Sequence, residues 1–145
     1  MQHFWSVRNG RALLATIALS ACGVISSSPD TATVTVQRSQ EFQLAPGQTA
    51  VLAGSDLAVR FDSVAGDSRC PMGVMCIWSG DADIHLTLFR GKRMPTPVVI
   101  RLMREPRSVT DLNDTIEVVS LAPVVRQQGQ IKPSDYRVTL NIRTK

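Results

Sequence analysis

Tyr136-Arg137-Val138-Thr139-Leu140-Asn141-Ile142-Arg143 alternates without a break. Tyr136, Val138, Leu140 and Ile142 fall on one side, and Arg137, Thr139, Asn141 and Arg143 on the other. A period of two marks a half-buried β-strand, because successive side chains point to opposite faces of the pleat. The same reading extends outward along the chain. Val34 and Val36 alternate within Thr33–Gln37, and Glu41–Leu44 and Thr49–Ala53 flank the turn Ala45-Pro46-Gly47-Gln48. Leu57, Val59 and Phe61 alternate with Ala58, Arg60 and Asp62. Ala82, Ile84, Leu86 and Leu88 oppose Asp83, His85 and Thr87. Val98–Met103 and Thr115–Leu121 complete the set. No segment carries a period of 3.6, although Ser108–Asn113 reads as one helical turn capped by Ser108. Seven or eight short strands with turn signals between them predict an all-β domain over 33–145, a small β-sandwich or Greek-key barrel.

Asp67-Ser68-Arg69-Cys70-Pro71-Met72-Gly73-Val74-Met75-Cys76-Ile77-Trp78-Ser79-Gly80 interrupts the strands. Five residues, Pro71 and Gly73 among them, separate the two cysteines and let the chain turn back on itself. A Cys70–Cys76 disulfide is the expectation. Zinc sites favour closer cysteine pairs with further ligands, and thioredoxin-like redox sites use Cys-x-x-Cys. Asp67 and Arg69 are placed to brace the loop by an ion pair or by bonds to the backbone. Trp78 is expected to cover the disulfide and cap the core. The competing expectation makes Arg69, Met72, Met75 and Trp78 an exposed binding loop, since Arg and Trp are favoured hot-spot residues and Met adapts to apolar surfaces.

This segment resembles a motif of uncharacterised bacterial envelope proteins, many of them lipoproteins, with Asp-Ser-Arg-Cys-Pro followed by Cys-Ile/Val-Trp-x-Gly. The matching positions are Asp67, Ser68, Arg69, Cys70, Pro71, Gly73, Cys76, Ile77, Trp78 and Gly80. Asp81-Ala82 stands where members more often carry Glu-Ala. The resemblance implies a compartment and a fold, and no activity comes with it.

The N-terminus points to the same compartment. Arg8 and Arg11 precede the apolar run Ala12–Ala18, and Leu19-Ser20-Ala21-Cys22 closes it. A basic stretch, a short apolar stretch and small residues make a secretory signal, and the run is too short to span a bilayer. Leu-Ser-Ala-Cys resembles a lipobox. Residues 1–21 are thus expected to be a lipoprotein signal peptide, Cys22 the lipidated first mature residue, and 22–32 a flexible polar tether. Gly23, where Asp would retain an enterobacterial lipoprotein in the inner membrane, favours the outer membrane facing the periplasm.

Composition narrows the function classes. The chain holds 16 basic and 12 acidic residues. Without the leader the balance falls to +2, and no basic cluster exceeds Arg90-Gly91-Lys92-Arg93, which reads as a hairpin turn. Nucleic-acid binding, which wants a basic stripe with aromatic platforms, is not expected. His85 is the one histidine outside the leader. On a strand, Asp81, Asp83, His85 and Thr87 would share a face, a row able to hold a divalent cation or, more plainly, a solvated polar surface. No nucleophile elbow, phosphate loop or zincin motif occurs, and no cofactor or enzymatic activity is expected. The leading expectation is a non-catalytic, lipid-anchored envelope protein that binds another protein through its loops. Inhibition of a periplasmic or external hydrolase, or binding of a small ligand or metal, are the alternatives.

Overall fold

The computed structural model describes residues 32–126 and 130–145. The leader, Cys22 and nearly all of the tether lie outside them. Nine strands form two sheets: β1 (Thr33–Val36), β2 (Glu41–Leu44), β3 (Thr49–Leu52), β4 (Leu57–Ala65), β5 (Asp83–Arg90), β6 (Thr96–Arg101), β7 (Ser108–Asp111), β8 (Asp114–Ala122) and β9 (Arg137–Thr144). One sheet runs β1-β3-β4-β5-β6 and the other β2-β9-β8-β7. All neighbours are antiparallel except β1, which lies parallel to β3. The arrangement is a β-sandwich.

The alternation of the last strand sets the core. Val138, Leu140 and Ile142 are fully buried, and cross-strand rows join them to Leu44, Leu121, Val118 and Ile116. From the opposite sheet, Leu57, Val59, Phe61, Ile84, Leu86 and Ile100 meet them with no exposed surface. Side chains this aliphatic suit a pleated, half-buried surface. Two bulges then change the parity of the inward set. In β8 the register slips between Val118 and Ser120, so Leu121 rather than Ser120 turns inward. In β4 it slips between Phe61 and Ser63, and Val64 packs against the core. An extra residue on one strand does this by advancing the pleat one step.

The structure corrects three local expectations. Ser108–Asp111 is a strand, not a helical turn, because it pairs with Asp114–Glu117 of β8 through a tight turn in which Leu112 takes φ +53°. Tyr136 follows a 3₁₀ turn at Pro133–Asp135, and the last strand starts one residue later, at Arg137. Arg90 is not part of an exposed basic turn. It ends β5 with only 9 % of its surface exposed, and the turn proper begins at Gly91.

Arg90 closes one end of the sandwich. Its Nε donates to Asp111 Oδ2 at 3.0 Å, Nη2 to Asp114 Oδ2 at 2.9 Å, and Nη1 to Asp56 Oδ1 at 3.1 Å. Arg38 pairs with the other oxygen of Asp114. Burial alone would disfavour the charged guanidinium, but the three carboxylates outweigh it and raise its pKa. For Asp114, burial likewise opposes ionisation, and Arg38 and Arg90 together hold its pKa below the usual carboxylate range.

Candidate functional site

The opposite end, where β4 leaves and β5 begins, carries the cysteine loop. Its stem is a short antiparallel ladder: Ser68 N–H donates to Asp81 O at 2.7 Å, and Cys70 N–H to Ser79 O at 2.9 Å. The Ser68 hydroxyl also accepts from Asp81 N–H at 3.1 Å. The two arms approach so closely at Gly80 that a Cβ there would sit 1.8 Å from the Ser68 carbonyl oxygen, at a φ of +69°. Only glycine fits. Beyond the stem, Cys70 and Cys76 form the expected disulfide, with Cα atoms 6.0 Å apart.

Arg69 holds the stem to the second sheet. Nε and Nη2 donate to the two oxygens of Asp67 at 2.8 and 2.7 Å, a bidentate pair. Nη1 and Nη2 also donate to Leu121 O and Pro123 O at 2.7 and 3.1 Å, at the end of β8. Tyr136 Oη donates to Asp67 Oδ2 at 2.9 Å. Burial pushes the Asp67 pKa up, but Arg69 and Tyr136 together bring it below the ordinary value. Burial, and the proximity of Asp67, raise the Tyr136 phenol. Met72 N–H completes the docking by donating to Val125 O at 2.9 Å.

Asp81 does comparable work on the other side. Oδ1 accepts from Ala82 N–H and Met103 N–H at 2.8 and 2.9 Å, and Oδ2 from Arg104 N–H and Nε at 3.2 and 3.0 Å. Burial opposes its charge, and the backbone donors and Arg104 overcome that, so its pKa is lowered. The carboxylate fixes the 102–107 turn against the stem.

The expected binding set therefore divides. Arg69 is nearly buried and fully engaged, a brace rather than a contact residue. Met72 and Met75 are exposed, by 65 % and 99 %. Trp78 neither covers the disulfide nor caps the core, and it stands 83 % exposed. At this end Ala82, Leu102, Leu121 and Tyr136 already close the core. Ile77, wholly exposed, belongs to the same tip, although the expected binding loop leaves it out. Its signal was there: an Ile-Trp pair in a stretch that pairs with no strand. Seven of the eleven large apolar side chains exposed among the described residues lie at this end: Met72, Val74, Met75, Ile77, Trp78, Met103 and Val124. Such clustering makes this end the candidate interaction surface, whereas scattered exposed apolar residues need no explanation.

Two clefts of about 430 Å³ flank the stem. One is lined by Trp78, Gly80, Met103 and Arg104 among others, the second by Ile131, Pro133 and Tyr136 with Val125 and Gln130. The row Asp81–Asp83–His85–Thr87 does not assemble as a site. Asp81 precedes β5 and is spent on backbone donors, while Thr87 is buried, donating to Asp62 Oδ2 at 2.7 Å. Among the described residues, no three His, Cys, Asp or Glu side chains gather as metal ligands. Searches of protein-family models, of curated proteins and of solved structures return no match to this chain.

Proposed function

We propose that the chain is a non-catalytic binding protein of the bacterial envelope, lipid-anchored at Cys22, whose working end is the pole built around the disulfide loop. The partner in this reading is another envelope protein. One observation carries it: Met72, Met75, Ile77 and Trp78 are held out in water on a loop fixed by a disulfide, a bidentate ion pair and a glycine-locked stem. A rigid apolar tip loses little freedom when it is covered, which is how preorganised loops gain affinity. Half-buried Asp67 and buried Asp81 are both engaged in holding that loop, which supports a structural role for them. Inhibition of a hydrolase is the second reading, favoured by the same protruding, covalently closed shape.

A photo-crosslinking residue in place of Met72, used in cells, tests the proposal. One discrete envelope protein should be captured, and Cys22→Ser should abolish capture. A ladder of abundant proteins, unchanged by Cys22→Ser, would remove the reading. Titration of the protein into lysozyme and protease assays decides the second.

A further inference from the structure

We infer that the outermost residues of the loop, Met75, Ile77 and Trp78, seat in the headgroup–acyl boundary of an anionic bilayer, so that the loop pole faces the membrane. This rests on the pole being the working end. It leaves a protein partner Met72 and the flanks, where Met103 and Arg104 line one cleft and Ile131 the other.

The first support is the character of the tip. Side chains exposed by 99 %, 104 % and 83 % fall within four consecutive residues and are drawn from the types that partition into lipid, tryptophan being favoured at the interface. Met75 and Ile77 line neither cleft, and Trp78 lines one of them beside Met103 and Arg104. An exposed apolar point suits a deformable surface. Its surroundings are mildly basic: exposed Arg104, Arg126, Lys132 and Arg137 stand at this end with exposed Glu105 and Asp135. Asp67 is half-buried against Arg69, and Asp81 is buried against Arg104. Anionic headgroups thus meet more exposed cations than exposed carboxylates.

The second support is where the described chain begins. Thr33 pairs with Thr49, Thr49 with Arg60, and β4 continues from Arg60 toward the cysteine loop. Strand β1 runs parallel to β3, away from that loop, so the described chain begins, at Ala32, on the loop's side of the strand. Residues 22–32 can span at most about 40 Å when fully extended. An anchor at Cys22 would therefore hold this pole within reach of the leaflet that carries it, and the tip would supply the second attachment that durable binding needs.

The chain has two tryptophans, Trp5 and Trp78. In the full-length Trp5→Phe chain, Trp78 alone reports. With vesicles of phosphatidylethanolamine and phosphatidylglycerol, its emission should shift to the blue. Lipids brominated high on the acyl chain should quench it more than lipids brominated near the chain end. Met75→Asp with Ile77→Asp, both fully exposed and outside the core, should return the emission to its aqueous position even where the leader still holds the chain on the vesicle. Trp78 emission that ignores vesicles, or that responds equally in the double variant, overturns the inference. Protein adducts without lipid adducts from a photo-crosslinker at position 75 would overturn it too, while leaving the proposed function standing.

Discussion

The two ends of this sandwich solve opposite problems with the same residue type. At the end closed by Arg90, a guanidinium faces three carboxylates, and a second arginine, Arg38, completes the set. Turns converge there from four parts of the chain, and the charges seal them. At the loop end, Arg69 also makes a bidentate carboxylate pair, but it uses its remaining donors on two carbonyls of a neighbouring strand end. That arginine frees the tip above it from any duty to the core. One end spends its polar groups on closure, the other on display.

The contrast predicts where substitutions hurt. Arg90→Ala should cost the most, about 3–4 kcal/mol by urea unfolding, because it strands Asp114 and Asp111 next to the core. A loss below 1 kcal/mol would mean that this end is not sealed by charge. Gly80→Ala should cost about 3 kcal/mol, since the left-handed backbone and the Ser68 carbonyl both resist a Cβ. Its nuclear magnetic resonance shifts should spread over the stem and spare β7. Replacing both Cys70 and Cys76 by Ser should cost roughly 2 kcal/mol, the loop-closure value for so short a ring.

Acid should sharpen the comparison further. Asp67, Asp81 and Asp114 all titrate below their ordinary value in the fold, so their contribution is complete above pH of about 4 and fades as pH falls through the folded values. Asp81→Asn should lower stability at neutral pH by about 1–2 kcal/mol and flatten the acid limb. At the alkaline side, Tyr136 has a raised folded pKa. Its contribution is present below the ordinary phenol value of about 10 and is lost as pH rises through the folded one. The smallest effect belongs to the tip. Met75→Asp, Ile77→Asp and Trp78→Ala should each stay within about 0.5 kcal/mol of the parent by thermal unfolding.

Much of the sandwich was legible because burial on one face imposes a period of two, as from Tyr136 to Ile142. Strand β7 was not, since Ser-Val-Thr-Asp has a single apolar residue and its pairing is fixed by the turn that follows. The brace between Asp67 and Arg69 could be read from local spacing. The Arg90 cluster could not, because its partners lie 21 to 34 residues away and Arg38 lies 76 from Asp114. The expectation that Trp78 caps the core fails for a different reason, while its place in an exposed loop agrees with the structure. Residue type says that an indole gains from burial, and only the closed core beneath it says that no room remains.

The single parallel pairing, β1 on β3, also governs how the domain would carry load. A pull between the tether at Thr33 and a partner on the cysteine loop would pass through β1, β3 and β4, three adjacent strands of one sheet. Both points of pull lie toward the loop end of the sheet, so the four-residue β1–β3 ladder would be loaded from its Thr33 end and its hydrogen bonds would open one after another. β1 would peel first, while Arg69 shared the load on the loop with the end of β8 in the second sheet.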